Sequence, residues 1–430
     1  MSARARPPSG LASRPPSSSA AASRASAFRN PLDNWLAEQC GAQGADAGNF
    51  VRALRDARAR ALAHCLEYAA SRSAFYARAL SGCDLNRITP ENLQGLPFTT
   101  ADDLARWEDF LCVSRGDVQR MVTLHTSGTT GSPKRLAFTE GDIARTMDFF
   151  RVGMSQLVGP EQKLAVLLPG AERPDGVADL LRQTLRPQGV EVCTPPPELL
   201  AAALSPCASG QCPSAVLHAP ATVPTALPQD MVQWLADIQP HCLVAAPAQL
   251  EGLLHYFPKG GPPGLCGLLS SADRLDPVLR HVLATVWNCT VLDHYGLTET
   301  GYGGAVECAA YDGYHMRLLD MIVEIVDFCG DEPLPPGEAG EVVITTLRRE
   351  AMPLIRYRTG DVANILSAPC ACGSPLPRLG PVRGRLERCG SRVRVVQMPK
   401  GGGTPASGNQ TGMAAPMGPH CATGDWGDWM

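Results

Sequence analysis

Between residues 121 and 292, short apolar runs alternate with stretches at helical spacing, and no other feature limits the fold so strongly. The runs fall at 121–124, 164–168, 190–193, 243–246, 267–270 and 290–292. The helical stretches fall at 142–157, 177–185, from 248 onward and at 277–287. Apolar runs this short, bounded by turn residues, read as buried strands, and helices between them act as crossovers. The expectation is an α/β fold with parallel-rich sheets and crossover helices.

The flanks differ. Trp35, Leu36, Phe50, Leu54, Ala61, Leu62, Leu66 and Tyr68 recur roughly at helical spacing, so 31–120 reads as a helical N-terminal segment. Thr99, Thr100 and Asp102 precede Leu104 and Trp107 as capping residues. From 321 the period drops to two, as in Val323, Ile325, Val342 and Ile344, and 321–393 reads as a small β-rich subdomain. Within the α/β region 121–320, the Pro-, Ala- and Cys-rich stretch 194–228 reads as an insertion. Residues 1–30 lack any acidic group, and 394–430 are rich in Gly, Pro, Thr and Met. Both tails are expected to be disordered, since few large apolar groups are present to offset the entropy of ordering. An organellar leader is the weaker reading of 1–30, because its prolines oppose an amphipathic helix.

Charge excludes several partners. With 38 Lys plus Arg against 42 Asp plus Glu, the net charge of -4 offers no general attraction to nucleic acid or an anionic membrane. No apolar run is long enough to cross a bilayer. The 16 cysteines are scattered without a small-scaffold pattern, which suits reduced thiols and a cytoplasmic location. Any anion site must be local, and the lysines, only Lys134, Lys163, Lys259 and Lys400, are easy to audit.

One of them closes the loop Thr126-Ser127-Gly128-Thr129-Thr130-Gly131-Ser132-Pro133-Lys134, which reads as a link between a strand and a helix. Hydroxyls, two glycines that let backbone N–H groups approach closely, and one cation make an oligophosphate cradle. The spacing is not a Walker A loop, since Arg135 stands where Ser or Thr would follow the lysine. The bland alternative is a flexible linker.

This loop resembles the first signature of the acyl-adenylate-forming superfamily, which includes acyl-CoA synthetases and the phenylacetate-CoA ligase-like family. Tyr295-Gly296-Leu297-Thr298-Glu299 resembles the second signature and Tyr357-Arg358-Thr359-Gly360-Asp361 the third. The stretches 332–338 and 351–356 look like the phenylacetate-CoA ligase branch, and the similarity runs from about 33 to about 388. The resemblance implies the large N-terminal domain of an adenylate-forming enzyme, with 121–320 binding nucleotide and acyl group. It implies AMP-forming activation of a small organic carboxylate by ATP with Mg²⁺, followed by thioester formation with CoA, and allows a homodimer. On this reading Lys134 and the loop residues Thr126 to Gly131 hold the phosphates. His294, Tyr295 and Gly296 line the nucleotide, Tyr295 with a flat face for adenine. Thr298 serves the α-phosphate or metal, and Glu299 binds Mg²⁺ as a hard oxygen ligand. Asp361 accepts from the ribose hydroxyls, and Arg385 joins the nucleotide site. Lys134, Thr298 and Glu299 are the catalytic candidates.

Cys308 and His315 follow the second signature, and Cys370 and Cys372 follow the third. Three thiolates and one imidazole make a closed structural zinc set, and members of the resembled branch can carry such a zinc. Cys207 and Cys212 read as free thiols.

The chain also departs from the family. The mobile C-terminal domain with its reaching lysine is expected to be missing. Gly384-Arg385 stands at the hinge signature, but Leu386-Glu387-Arg388 replaces the aspartates, and Lys400 lies in a Gly-rich tail. Two consequences follow as expectations: a separate polypeptide supplies that domain, or the chain is a noncatalytic regulatory nucleotide-binding subunit. In the acid pocket, 168–176 lacks the family's aromatic wall, and Arg173 is either a partner for a second carboxylate or part of a solvated loop.

Overall fold

The computed structural model describes residues 30–124, 134–168, 170–171, 173, 176–204, 229–389 and 392–397. Residues 1–29 and 398–430, the loop 125–133 with Thr126, Ser127, Gly128, Thr129, Thr130 and Gly131, and 205–228 with Cys207 and Cys212 lie outside that set.

Three helices open the chain: α1 (Pro31–Gln39), α2 (Ala47–Arg72) and α3 (Ala74–Ala79). Each is capped at its start by a side-chain oxygen, from Asn30, Asp46 and Ser73, which satisfies an otherwise orphaned N–H. Next come β1 (Arg120–Leu124), β2 (Lys134–Phe138), α4 (Glu140–Met154), β3 (Lys163–Val166), α5 (Val177–Leu185), β4 (Glu191–Cys193) and α6 (Pro197–Leu204). Then follow α7 (Gln229–Ile238), β5 (Cys242–Ala245), α8 (Pro247–Tyr256), β6 (Gly267–Ser270), α9 (Pro277–Trp287) and β7 (Thr290–Tyr295). The remainder is β: β8 (Ala305–Val306), β9 (Tyr314–Met316), β10 (Met321–Val326), β11 (Gly340–Thr346), β12 (Tyr357–Ala363), β13 (Ile365–Leu366), β14 (Arg378–Leu379), β15 (Gly384–Cys389) and β16 (Arg392–Gln397).

Strands β4, β3, β5, β6 and β7 run parallel in that spatial order, and β8, β9, β14 and β13 extend the same nine-stranded sheet antiparallel. Alternation within the parallel strands builds two cores. Leu164, Val166, Cys242 and Val244 pack with Leu181 and Leu185 of α5. Ala165, Leu243 and Ala245 pack on the other face with Leu250 of α8 and Leu283 of α9. Covered on both faces, these strands read as unbroken apolar runs. A second, antiparallel sheet has the order β10, β11, β12, β15, β16. Among the described residues, no helix is long and apolar enough to cross a membrane.

Three expectations need correction. The loop ending at Lys134 does not join a strand to a helix, because β1 and β2 pair antiparallel with Leu124 opposite Lys134. The strand 134–138 is masked in the sequence by two adjacent basic residues, and the helix starts after the reciprocal Thr139–Asp142 cap. Within the stretch 194–228, the described part holds helix α6, which begins on a proline suited to a first turn and leaves the reading of an insertion open. The β-rich region is not self-contained, since β13 and β14 belong to the nine-stranded sheet. Its own sheet continues past 393 to Gln397, because Arg392-Val393-Arg394-Val395-Val396 alternates well enough to pair along β15.

Candidate active site

The turn after β7 is where the second signature stretch meets the other two. Gly296 follows the strand directly, and a Cβ there would come within 2.5 Å of the Tyr302 carbonyl oxygen, so only glycine fits. The turn carries Glu299 into the interior, with its side chain 7% exposed. Its Oε1 accepts from Lys134 Nζ at 3.1 Å and from the Tyr357 hydroxyl at 2.9 Å. Burial pushes the Glu299 carboxyl upward, but Lys134 and the Tyr357 hydroxyl bond outweigh it and hold the group below the usual carboxylate range. Arg349 Nη2 donates to the Glu299 carbonyl oxygen at 3.2 Å.

Asp361, on β12 with Tyr357, is also buried. Its Oδ2 accepts from the Tyr295 hydroxyl at 3.0 Å, and Arg385 Nε lies 3.1 Å from Oδ1. Burial raises the Asp361 carboxyl, opposed by Arg385 and the Tyr295 bond. Tyr295, His294, Gly296, Asp361 and Arg385 line a cavity of about 140 Å³. Arg385 does not sit in a hinge turn. It lies on β15, opposite Asp361 in the register with β12.

A larger cavity of about 180 Å³ adjoins it, lined by Thr298, His294, Ser271 and a hydrocarbon wall. That wall is aromatic after all, with Phe149 and Phe150 coming from α4 and Tyr302 from the turn after Glu299. The segment 168–176 contributes Leu168, while Arg173 is exposed and does not line the cavity. His294 Nε2 lies 2.8 Å from Ser271 Oγ, and burial lowers the ring to about 4, so it is neutral near pH 7.

Cys308, His315, Cys370 and Cys372 form a separate cluster whose ligand atoms all lie within 4.8 Å of one another. His315 stands on β9, Cys308 follows β8, and the two other cysteines sit between β13 and β14. Cys308 Sγ is 3.7 Å from Cys370 Sγ, and Cys372 Sγ is 3.6 Å from His315 Nε2. These are not disulfides, and all three thiols are free. Tetrahedral zinc with its usual bond lengths would set S···S and S···N edges near about 3.8 and 3.6 Å, so the donor set fits that ion.

Tyr357 lies in the third signature stretch without an individual role there, and Arg349 and Ser271 lie outside all three stretches. Tyr357 shares its strand face with Thr359 and Asp361 at a period of two, which was a usable signal. Nothing local marks Arg349 or Ser271.

The model for the family described as AMP-binding enzyme matches residues 198–347. The phenylacetate-coenzyme A ligase of Thermus thermophilus is 28% identical over 351 residues, covering 78% of this chain and 71% of the relative. That of Pseudomonas putida is 27% identical over 351 residues, covering 78% and 72%. Among solved structures, an open conformation of 2-hydroxyisobutyryl-CoA ligase, in complex with 2-HIB-AMP and CoA, superposes with a TM-score of 0.62 at 17% identity, covering 80% of this chain and 72% of that one. Over 198–347 the chain is thus similar to AMP-binding enzymes, and its fold is shared with the large part of an acyl-CoA ligase. Along most of its length the chain is similar to phenylacetate-coenzyme A ligases.

Proposed function

We propose that the protein activates an organic carboxylate with ATP, forming an acyl-adenylate and pyrophosphate, and then transfers the acyl group to CoA. One observation carries this reading: a polar cavity bordered by Asp361, Tyr295 and Arg385 shares Ala272, His294, Gly296 and Leu297 with an apolar cavity that can take the acid. An acid in the apolar cavity therefore has its carboxylate beside the nucleotide. Its oxygen attacks the α-phosphorus in line with the departing pyrophosphate, and positioning with cationic charge supplies the acceleration.

Within that step Asp361 receives ribose hydroxyls, and Tyr295 and Arg385 hold its carboxylate in place. Lys134 exchanges Glu299 for phosphate oxygens. Glu299 would hold Mg²⁺ as a hard oxygen ligand, and the ion would supply neutralisation of phosphate charge. Thr298 contributes a hydroxyl to the α-phosphate. The loop Thr126 to Gly131 completes the phosphate cradle in this proposal. Cys308, His315, Cys370 and Cys372 would hold zinc, and a closed four-ligand set gives that ion a structural role.

Pyrophosphate exchange tests the reading. Purified protein with ATP, Mg²⁺, labelled pyrophosphate and a carboxylate panel should show acid-dependent label in ATP. Nucleotide binding without exchange for any acid would instead favour a regulatory nucleotide-binding subunit.

A further inference from the structure

The larger cavity is lined mostly by hydrocarbon; besides the Thr298 and Tyr302 hydroxyls, it carries polar side chains at one place. There, facing the larger cavity, Ser271 Oγ and His294 Nε2 bond to each other at 2.8 Å. Ser271 ends the buried edge after β6, and His294 lies one position before the end of β7, so adjacent parallel strands hold the pair rigidly. Around it stand Phe149, Met154, Leu181, Val244 and Leu269, and among the described residues no lysine or arginine lines the cavity.

The hydrogen arithmetic of this pair is informative. A neutral imidazole has one donor and one acceptor, and a hydroxyl has one donor and two lone pairs. If Ser271 donates to Nε2, Nδ1–H and a serine lone pair remain. If Nε2–H donates to Ser271, the serine proton and bare Nδ1 remain. In either tautomer the pair keeps one spare donor and one spare acceptor. An ionised second carboxylate would find no cation in this cavity, and its burial would be unfavourable.

Building on the acid-activation reading above, we propose that the Ser271–His294 pair selects a monocarboxylic acid whose apolar body carries one hydroxyl or oxo group. A plain hydrocarbon acid of the same size leaves the pair's spare donor and acceptor unmet, which is the discrimination polar groups in a dry site provide. A dicarboxylate is rejected by desolvation. His294 and Ser271 thereby act on specificity, apart from the nucleotide contacts on the far side of the same wall.

Pyrophosphate exchange with phenylacetate, its 2- and 4-hydroxy derivatives, mandelate and phenylmalonate, on the unaltered protein, Ser271→Ala and Ser271→Thr, tests this. The readout is the ratio of kcat/KM between a hydroxylated acid and phenylacetate, in which any general loss cancels. At least one hydroxylated acid should exceed phenylacetate by about tenfold, a single net hydrogen bond. Phenylmalonate should be the poorest substrate. Ser271→Ala should bring the ratio near one, and Ser271→Thr, which keeps the hydroxyl, should preserve it. Exchange without a preference for any hydroxylated acid, or a preference that survives Ser271→Ala, overturns this inference alone. Should the alanine variant not fold, the unaltered protein's preference decides. Exchange with no acid at all overturns the acid-activation reading and this inference with it.

Discussion

Asp361 and Arg385 lie opposite each other across β12 and β15, and Arg385 Nε sits 3.1 Å from Asp361 Oδ1. The partners are unequal. The carboxylate side chain is 7% exposed and the guanidinium 39%, so the cation is the adjustable half. Arg385→Ala should lower ATP affinity by about tenfold in calorimetry, a magnitude typical of losing one partly screened charged contact. Asp361→Asn should cost more, because it removes the charge and turns one of the two acceptor oxygens into a donor. An Arg385→Ala protein with unaltered affinity would detach this residue from the nucleotide site.

Lys134 and Glu299 form the more deeply buried pair, at 13% and 7% side-chain exposure. Lys134→Met should destabilise the protein by about 3 kcal/mol, since an unpaired carboxylate is left inside. Combining it with Glu299→Gln should recover most of that loss in urea titrations, while ATP affinity stays low. Equal, additive losses from the two single changes would show that the pair is not coupled.

Tyr357 donates to Glu299 at 2.9 Å, and its own ionisation is pushed far above the usual tyrosine range by burial and by that carboxylate. It is therefore a neutral donor at any working pH. Tyr357→Phe should cost about 1–2 kcal/mol in stability and reduce pyrophosphate exchange by about tenfold. Full exchange activity in the phenylalanine variant would show that Glu299 needs only Lys134.

Metal analysis of protein purified without chelator should find about one zinc per chain, and Cys308→Ser should abolish it, since three ligands hold a structural ion poorly. Chelation of the unaltered protein should lower its melting temperature. Unchanged zinc content in Cys308→Ser would assign the metal elsewhere.

Asp33, on α1, is buried at 1% exposure, and burial raises its carboxyl from 3.8 to about 6. Between those values the folded chain keeps a proton that the unfolded chain has released. Stability from this site therefore falls as pH rises from about 4 to 6, and the penalty, on the order of 3 kcal/mol, persists above 6. Asp33→Asn should raise the melting temperature at pH 7.5 and have little effect at pH 4. The opposite pH trend would mean that Asp33 is stabilised as an anion.

The parallel strands were legible in the sequence because burial on both faces leaves a short apolar run bounded by turn residues, as at Cys242–Ala245. The signature stretches were legible because glycines and hydroxyls at fixed spacing answer local chemical demands. What stayed hidden depends on pairing at a distance. The strand of Lys134 is recognisable only beside β1, and the return of Ile365 and Arg378 to the larger sheet leaves no local mark. The aromatic wall was sought in 168–176, yet Phe149 and Phe150 reach the cavity from a helix earlier in the chain.

The path from Ala363 to Gly384 leaves one sheet, contributes β13 and β14 to the other, and comes back. Cys370 and Cys372 sit at the far point of that detour, clasped to Cys308 and His315. The span that sets Arg385 against Asp361 is thus tethered at its midpoint to the neighbouring sheet. Damage to sulfur atoms that touch no nucleotide would be felt as a slackened grip on one.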